Sequence, residues 1–278
     1  MKREIIEHLN KLYFDNFEVY IFNAGNFYSD AGAAMGVLPK AIWRKSVQED
    51  ELGRMEFATH LMLVKSEKGN ILIDTGICSQ PDERQKKIYN PKQSTLIENL
   101  EICGCKREDI DYVVFTHLHF DHVGGAVLQS NGKVELTFPF AQHIIQKDEW
   151  EIALSPDELN KAAYGFDEAI RALENSRNVH IVDGDFELAQ GIHLIKTGGH
   201  SEGMQIVKLE DNDKVLFYPS DIIPNEINLR LSLTSAYDVC RKETAKAKEF
   251  IFNYKPEKRR YVVLNHQADK SLIELPKL

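Results

Sequence analysis

The segment Thr116-His117-Leu118-His119-Phe120-Asp121-His122 follows directly on DYVVFT (111–116), a run whose β-branched and aromatic residues read as a strand. Three imidazoles and a carboxylate within six residues do not suit a core, because His and Asp are seldom buried unless paired. Imidazole nitrogen and carboxylate oxygen together suit zinc, iron or manganese. A turn leaving a strand can fan alternate side chains toward two neighbouring metal positions, which a regular helix would not do for all four. The competing reading is a solvated polar loop with chance histidines, but such clusters seldom lack a metal or catalytic role.

Further along the chain, three single residues repeat the arrangement of a ligand type directly after an apolar strand. His200 follows HLIKTGG, Asp221 follows VLFYPS and His266 follows YVVLN. Each alone reads as a hydrogen-bonded loop residue; with the 117–122 cluster they complete two coordination sets of suitable size. Asp74 ends another strand, in LIDTG. A carboxylate there either orients a ligand imidazole through its second nitrogen or caps a turn before Gly76.

Apolar, β-branched runs recur at 17–23, 59–65, 70–75, 111–116 and 141–146, and again at 178–182, 191–197, 204–209, 214–220 and 260–265. Each is bounded by Gly, Asn, Asp or a charge cluster, as strands are. Between them, 94–103 places Leu96, Ile97, Leu100 and Cys103 on one helical face with Gly104 as a stop. The spacing predicts further helices over 145–153, over 156–175 with Ser155-Pro156-Asp157-Glu158 as cap and first turn, and over 238–253 starting at Asp238. Many strands with interspersed helices predict a layered α/β fold in which helices cover sheets. The stretches 24–58 and 76–93 read as long loops, which in compact domains are often functional. No repeat, low-complexity tract or linker divides the chain, so residues 1–278 are expected to form a single domain.

The 278 residues carry 34 Lys+Arg against 43 Asp+Glu, a net charge of −9. That balance excludes a non-specific nucleic-acid binder, which needs a basic face. No window approaches the roughly 18–20 apolar residues of a membrane span. The start, MKREIIEHLNKLYF, has no apolar core of a signal peptide, which predicts a cytoplasmic protein with no membrane partner. Cys78, Cys103, Cys105 and Cys240 are too sparse for a disulfide framework, and Cys103-Gly104-Cys105 has no second pair, so all four read as reduced thiols.

HLHFDH after a strand, an upstream LIDTG, and then GGH, SD and NH at strand ends together resemble the metallo-β-lactamase-fold hydrolases, over about residues 17–268. GVLPKAIW (36–43), FPFAQHIIQKDEW (138–150) and SDIIPNEINLRLSLTSAYD (220–238) resemble the lactonase-like, quorum-quenching subgroup. The resemblance implies an αββα sandwich with a two-metal site at one sheet edge. It implies His117, His119 and His200 on one metal, Asp121, His122 and His266 on the other, and Asp221 bridging. Two divalent ions are implied, zinc first, with manganese, iron or cobalt as alternatives. A shared hydroxide would attack an ester or lactone carbonyl, with Asp121 as the catalytic carboxylate that takes and returns the proton.

The sequence departs from the subgroup at two points. Acyl-homoserine lactonases often carry a Tyr three residues after the bridging Asp, where this chain has Pro224, and the frequent GHTPGH is here Gly199-His200-Ser201-Glu202-Gly203-Met204. Only 12 residues follow His266, which weighs against the helical substrate domain of a glyoxalase II-like thioesterase, although that activity stays an alternative. The reading is therefore a hydrolase of a small ester or lactone, an acyl-homoserine lactone among them. The alternative of another class is a mononuclear iron dioxygenase acting on a thiol or persulfide. The partner is a small molecule, and a homodimer stays open. Phe27, Tyr28, Met35, Val37, Leu38 and Trp43, with Tyr164 and Tyr237, are candidates for a substrate wall or for loop anchors.

Overall fold

The computed structural model describes residues 9–130, 133–164 and 167–277. In chain order its strands are β1 (Asn10–Tyr13), β2 (Phe17–Asp30), β3 (Arg54–Ser66), β4 (Gly69–Ile73), β5 (Ile110–Val114), β6 (Val127–Ser130), β7 (Lys133–Leu136), β8 (Gln142–Gln146) and β9 (Val179–Val182). They continue with β10 (Phe186–Ala189), β11 (Ile192–Lys196), β12 (Gln205–Glu210), β13 (Lys214–Tyr218), β14 (Arg259–Val263) and β15 (Leu272–Leu275). One sheet runs β1-β2-β3-β4-β5-β8-β9 and the other β10-β11-β12-β13-β14-β15, with β6-β7 as a small ribbon. The helices are α1 (Ala31–Met35), α2 (Lys40–Trp43), α3 (Glu83–Tyr89), α4 (Leu96–Ile102), α5 (Phe120–Val123), α6 (Lys147–Leu154), α7 (Asp167–Asn175) and α8 (Arg241–Asn253).

Side-chain alternation explains the layering. In a strand, successive side chains point to opposite faces, and here both faces are apolar. Val19, Ile21, Met62, Val64, Ile71 and Ile73 meet Leu194, Val207, Leu209, Leu216 and Val263 between the two sheets. Their neighbours Tyr20, Phe22, Leu61, Leu63 and Leu72 face the other way, onto Leu96 and Leu100 of α4, Ala153 of α6 and Ile170 and Leu173 of α7. On the far side, Ile206, Val215, Phe217 and Val262 pack against Ala247 and Ile251 of α8. A sheet buried on both faces needs cover on both, so the order helix, sheet, sheet, helix follows, and the αββα sandwich is observed.

Strand direction then positions the site. β4 and β5 are parallel, as are β13 and β14, and β11 runs in the same sense as β13 because β12 is antiparallel to both. The C-terminal ends of these strands therefore lie at one edge, where open α/β sheets place ligands. Cross-links between the sheets fix that edge: Gln205 N donates to Thr116 O (3.0 Å), and His60 N to Asn265 O (2.9 Å).

Several expected elements differ. The stretch 24–58 is not one loop: β2 runs on to Asp30 through a register shift between Asn23 and Asn26, and β3 begins at Arg54. Likewise 76–93 contains α3, capped by reciprocal Asp82–Gln85 bonds. Residues 145–146 belong to β8, with α6 starting at Lys147. The helix expected over 156–175 is confined to Asp167–Asn175; residues 158–164 form turns, with Asp157 Oδ1 accepting from Leu159 N and Asn160 N. The last long helix begins at Arg241, not Asp238. All four cysteines are free, and Cys78, Cys103 and Cys105 pack in the core outside the first sheet. Among the described residues no helix is long and apolar enough to cross a membrane.

Candidate metal centre

At the shared sheet edge the structure brings together all seven residues picked out in the sequence. His117 and His119 follow β5, His119 with extended backbone, and Asp121 and His122 sit on the single turn of α5. His200 follows β11, Asp221 follows β13 and His266 follows β14. Three groups of donor atoms lie within 4.8 Å of one another: His117, His119 and His200; His117, His122 and Asp221; and Asp121, His122 and His266. His119 Nδ1 and His200 Nε2 are 3.1 Å apart. Asp221 stands between the groups, with Oδ2 3.2 Å from His200 Nε2 and Oδ1 3.3 and 3.1 Å from the Nε2 atoms of His122 and His266. Asp121 Oδ2 is 3.4 Å from His266 Nε2.

Four of the five rings have their outward-facing nitrogen held. Asp74 Oδ2 lies 2.9 Å from His122 Nδ1, Asp238 Oδ1 lies 3.0 Å from His200 Nδ1, and His266 Nδ1 donates to Ala58 O at 2.7 Å. His117 Nδ1 meets Thr116 Oγ1 at 3.1 Å, and that hydroxyl donates to Asp74 Oδ2. With the protons on these atoms, the Nε2 lone pairs of His117, His122, His200 and His266 point inward. Those of His117, His122 and His266 are buried with no aligned hydrogen-bond partner among the described residues, although Asp221 is close to two of them. Bare lone pairs facing a carboxylate repel unless a cation lies between them, so the donor set fits a metal.

In the metal-free chain the rings divide into two kinds, two held neutral and two that favour a proton a metal would have to displace. Burial, reinforced by neighbouring imidazoles, holds His117 and His119 well below the usual histidine range, hence neutral. For His122 burial pulls the same way, but the carboxylates of Asp121, Asp221 and Asp74 outweigh it and raise the ring well above that range. His200 is likewise raised, by Asp221 and Asp238 against burial. Burial pushes the Asp221 carboxyl upward, and His266, His200 and His122 overcome it and hold it well below the carboxylate range.

Asp74 thus orients an imidazole. It is fully buried and has φ of 58°, and its Oδ1 also accepts from Thr116 N at 2.8 Å. Three participants escaped sequence reasoning. Asp238, expected as a helix cap, turns instead to His200. Asn265 Nδ2 donates to Asp221 Oδ1 at 2.7 Å. Glu149, buried on α6, accepts from Leu118 N, Tyr164 OH and Ser201 Oγ. The strand-end position of Asn265 beside His266 was a usable signal; the other two had none.

A cavity of about 770 Å³ opens above the cluster, with His119, Asp121, His200, Asp221 and His266 on its floor. Phe27, Phe57, Tyr89 and Phe120 form one wall, and Tyr237 and Val239 line another part. The rings interlock: Tyr89 stacks on Phe120 at 4.4 Å, and Phe27 and Phe57 meet His266 edge-on at 5.7 and 5.1 Å. Of the candidate wall residues, Phe27 and Tyr237 face the cavity. Met35, Leu38 and Trp43 anchor the 31–53 connection in the apolar cluster that also holds Phe27 and Phe57, behind the cavity wall, Val37 is exposed, the guanidinium of Arg54 lies over the Tyr28 ring, and Tyr164 bonds Glu149.

The chain matches the family model described as the metallo-beta-lactamase superfamily over residues 54–261. Among curated proteins it is 30% identical, over 159 residues, to an N-acyl homoserine lactonase of Bacillus cereus; the match covers 53% of this chain and 56% of that protein. The chain thus spans about half the length of the curated relatives it matches. Among solved structures, a probable metal-dependent hydrolase from Staphylococcus aureus superposes with a TM-score of 0.88 at 27% identity, covering 96% of this chain and 95% of that one. A dizinc quorum-quenching lactonase in complex with its product gives 0.72 at 18% identity, covering 98% of each chain, which bears on fold alone.

Proposed function

The chain belongs to the metallo-β-lactamase superfamily, and we propose that within it this protein is a dinuclear metallohydrolase that opens small, largely neutral esters or lactones. The observation that carries the reading is the pair of donor sets, His117/His119/His200 and Asp121/His122/His266, with the Asp221 carboxylate standing between them. His117, His119 and His200 would hold one divalent ion, Asp121, His122 and His266 the other, and Asp221 would join them. Zinc suits the set best by donor chemistry. When bound, such a pair supplies a Lewis acid and a water activated near neutral pH.

The chain's own residues do the rest. Asp121 lines the cavity and turns Oδ2 toward His266, which supports a role in which its carboxylate would take a proton from the nucleophile and return it to the leaving alkoxide. Asp74, Asp238 and the Ala58 carbonyl fix ring tautomers, so that no Nε2 facing the centre has to carry a hydrogen. Phe27, Phe57, Tyr89 and Phe120 suit an apolar arm, an acyl chain or an aryl group, and exclude water beside His266. Arg54 is the cation among the described lining residues. It is paired with Asp50 at 2.7 Å and donates to the Ile88 carbonyl, while Asp30, Asp157 and Glu202 line the same space. Away from the metal positions the described lining residues thus offer an anionic group no unpaired cation, which favours a neutral substrate arm. Pro224 supplies no phenol, so acyl-homoserine lactones are one substrate class rather than the sole one.

The test is a parallel panel of aryl esters, γ- and δ-lactones and β-lactams with zinc-loaded protein. Turnover of esters or lactones with little β-lactam hydrolysis is expected. β-Lactam turnover exceeding both refutes the substrate assignment, and oxygen consumption with one iron per chain favours the dioxygenase instead.

A further inference from the structure

Glu149 is 1% exposed, on a helix outside the first sheet, and it is not a metal donor in any of the groups above. Its Oε1 accepts from Leu118 N and from Tyr164 OH, both at 2.7 Å, and its Oε2 accepts from Ser201 Oγ at 2.6 Å. Each contact lies one step from a particular imidazole. Leu118 sits between His117 and His119, Ser201 follows His200, and the Tyr164 ring meets His119 edge-on at 4.9 Å. The close approach is built in at Gly203, where a Cβ would lie 2.2 Å from Glu149 N. The other donor set is anchored separately, His122 by Asp74 and His266 by Ala58.

We propose that Glu149 is the positioning residue for the His117, His119 and His200 set, one buried carboxylate tying together the two segments that carry those rings and the Tyr164 turn that packs on His119. Asp74 holds His122 directly and reaches the first set only through the Thr116 hydroxyl beside His117, so loss of Glu149 should weaken the first metal position far more than the second. The proposal rests on the two-set reading above.

The test compares wild type, Glu149→Ala and Glu149→Gln by zinc occupancy at the two positions, from anomalous diffraction, and by zinc affinity against a chelator. Glu149→Ala should lose about 10- to 100-fold in affinity at the His117/His119/His200 position, the usual effect of removing such a partner, with the other position within about threefold. Glu149→Gln keeps a carbonyl for Leu118 and Tyr164 and an amide toward Ser201, so it should recover most of the loss. If Glu149→Ala fails to fold, the double variant Ser201→Ala, Tyr164→Phe removes two contacts at nearly constant volume and should weaken the same position by about three- to tenfold. Equal loss at both positions in folded protein, no loss at either, or a Gln variant as weak as Ala overturns the proposal. Wild type that binds zinc at neither position refutes the two-set reading itself, and the proposal with it.

Discussion

Replacing Asp74 with Asn keeps the side chain's size and removes its charge, and Asn tolerates the left-handed backbone (φ 58°) that Asp74 adopts. The substitution therefore isolates what the carboxylate does. Oδ1 accepts from Thr116 N, and Oδ2 accepts from Thr116 Oγ1 and His122 Nδ1. If the new carbonyl faces Thr116 N, the amide nitrogen faces His122 Nδ1 and donates to it. The ring proton then moves to Nε2, which points at Asp221 and can no longer bind a metal. If the amide is flipped, two N–H donors face each other in a fully buried site, at about 1–3 kcal/mol. Either way zinc affinity at the Asp121/His122/His266 position should fall roughly 10- to 100-fold, at about 1.4 kcal/mol per factor of ten. Chelator competition on the purified variant measures this, with thermal unfolding of the metal-free form as the control for folding. Asp74→Ala adds left-handed strain of about 1–2 kcal/mol and should unfold at lower temperature than Asp74→Asn. Wild-type zinc affinity at both positions in Asp74→Asn refutes the orienting role.

Asp121→Asn should lower turnover at least about 100-fold, in line with general acid–base contributions, and weaken the second metal; near-wild-type turnover excludes Asp121 as the proton carrier. Because His122 and His200 are raised in the metal-free chain, zinc must displace protons from them. Its affinity should therefore fall as pH drops, by about tenfold per pH unit for each proton displaced, and equal affinities at pH 8 and pH 6 would contradict this. Lys248, wholly buried and donating to Leu233 O, is lowered by burial to about 8 from an ordinary 10.5. The unfolded chain then holds the extra proton between those values. Stability relative to Lys248→Met should rise across that window, by at most roughly 3 kcal/mol, and parallel denaturation curves at pH 8 and 10 would refute the assignment.

Much of the centre was legible because its ligands punctuate strands. His200, Asp221 and His266 are separated by dozens of residues, but each ends an apolar run, and parallel strands bring those ends to one edge. Glu149 and Asp238 were illegible for the opposite reason. In KDEWEIAL, Glu149 reads as one of several charges on a solvated helix, and only the approach of the Gly203 turn shows that it is buried. Asp238 lies just before a helix, where an Asp reads locally as its start, yet a tertiary partner, His200, claims it and the helix is entered at Cys240. The misjudged helix over 156–175 is the same failure in reverse: local propensity is helical, but Asp157 ties the chain into a turn at the cavity rim. β2 outran its apolar run because the register shift at Asn23–Asn26 lets polar residues continue the pairing with β3.

Titrating zinc into metal-free protein while following hydrolysis of an aryl ester or lactone tests the dinuclear mechanism most directly. Activity should be negligible without metal and should climb to a plateau at two equivalents per chain. Full activity in demonstrably metal-free protein, or a plateau at one equivalent, would contradict it.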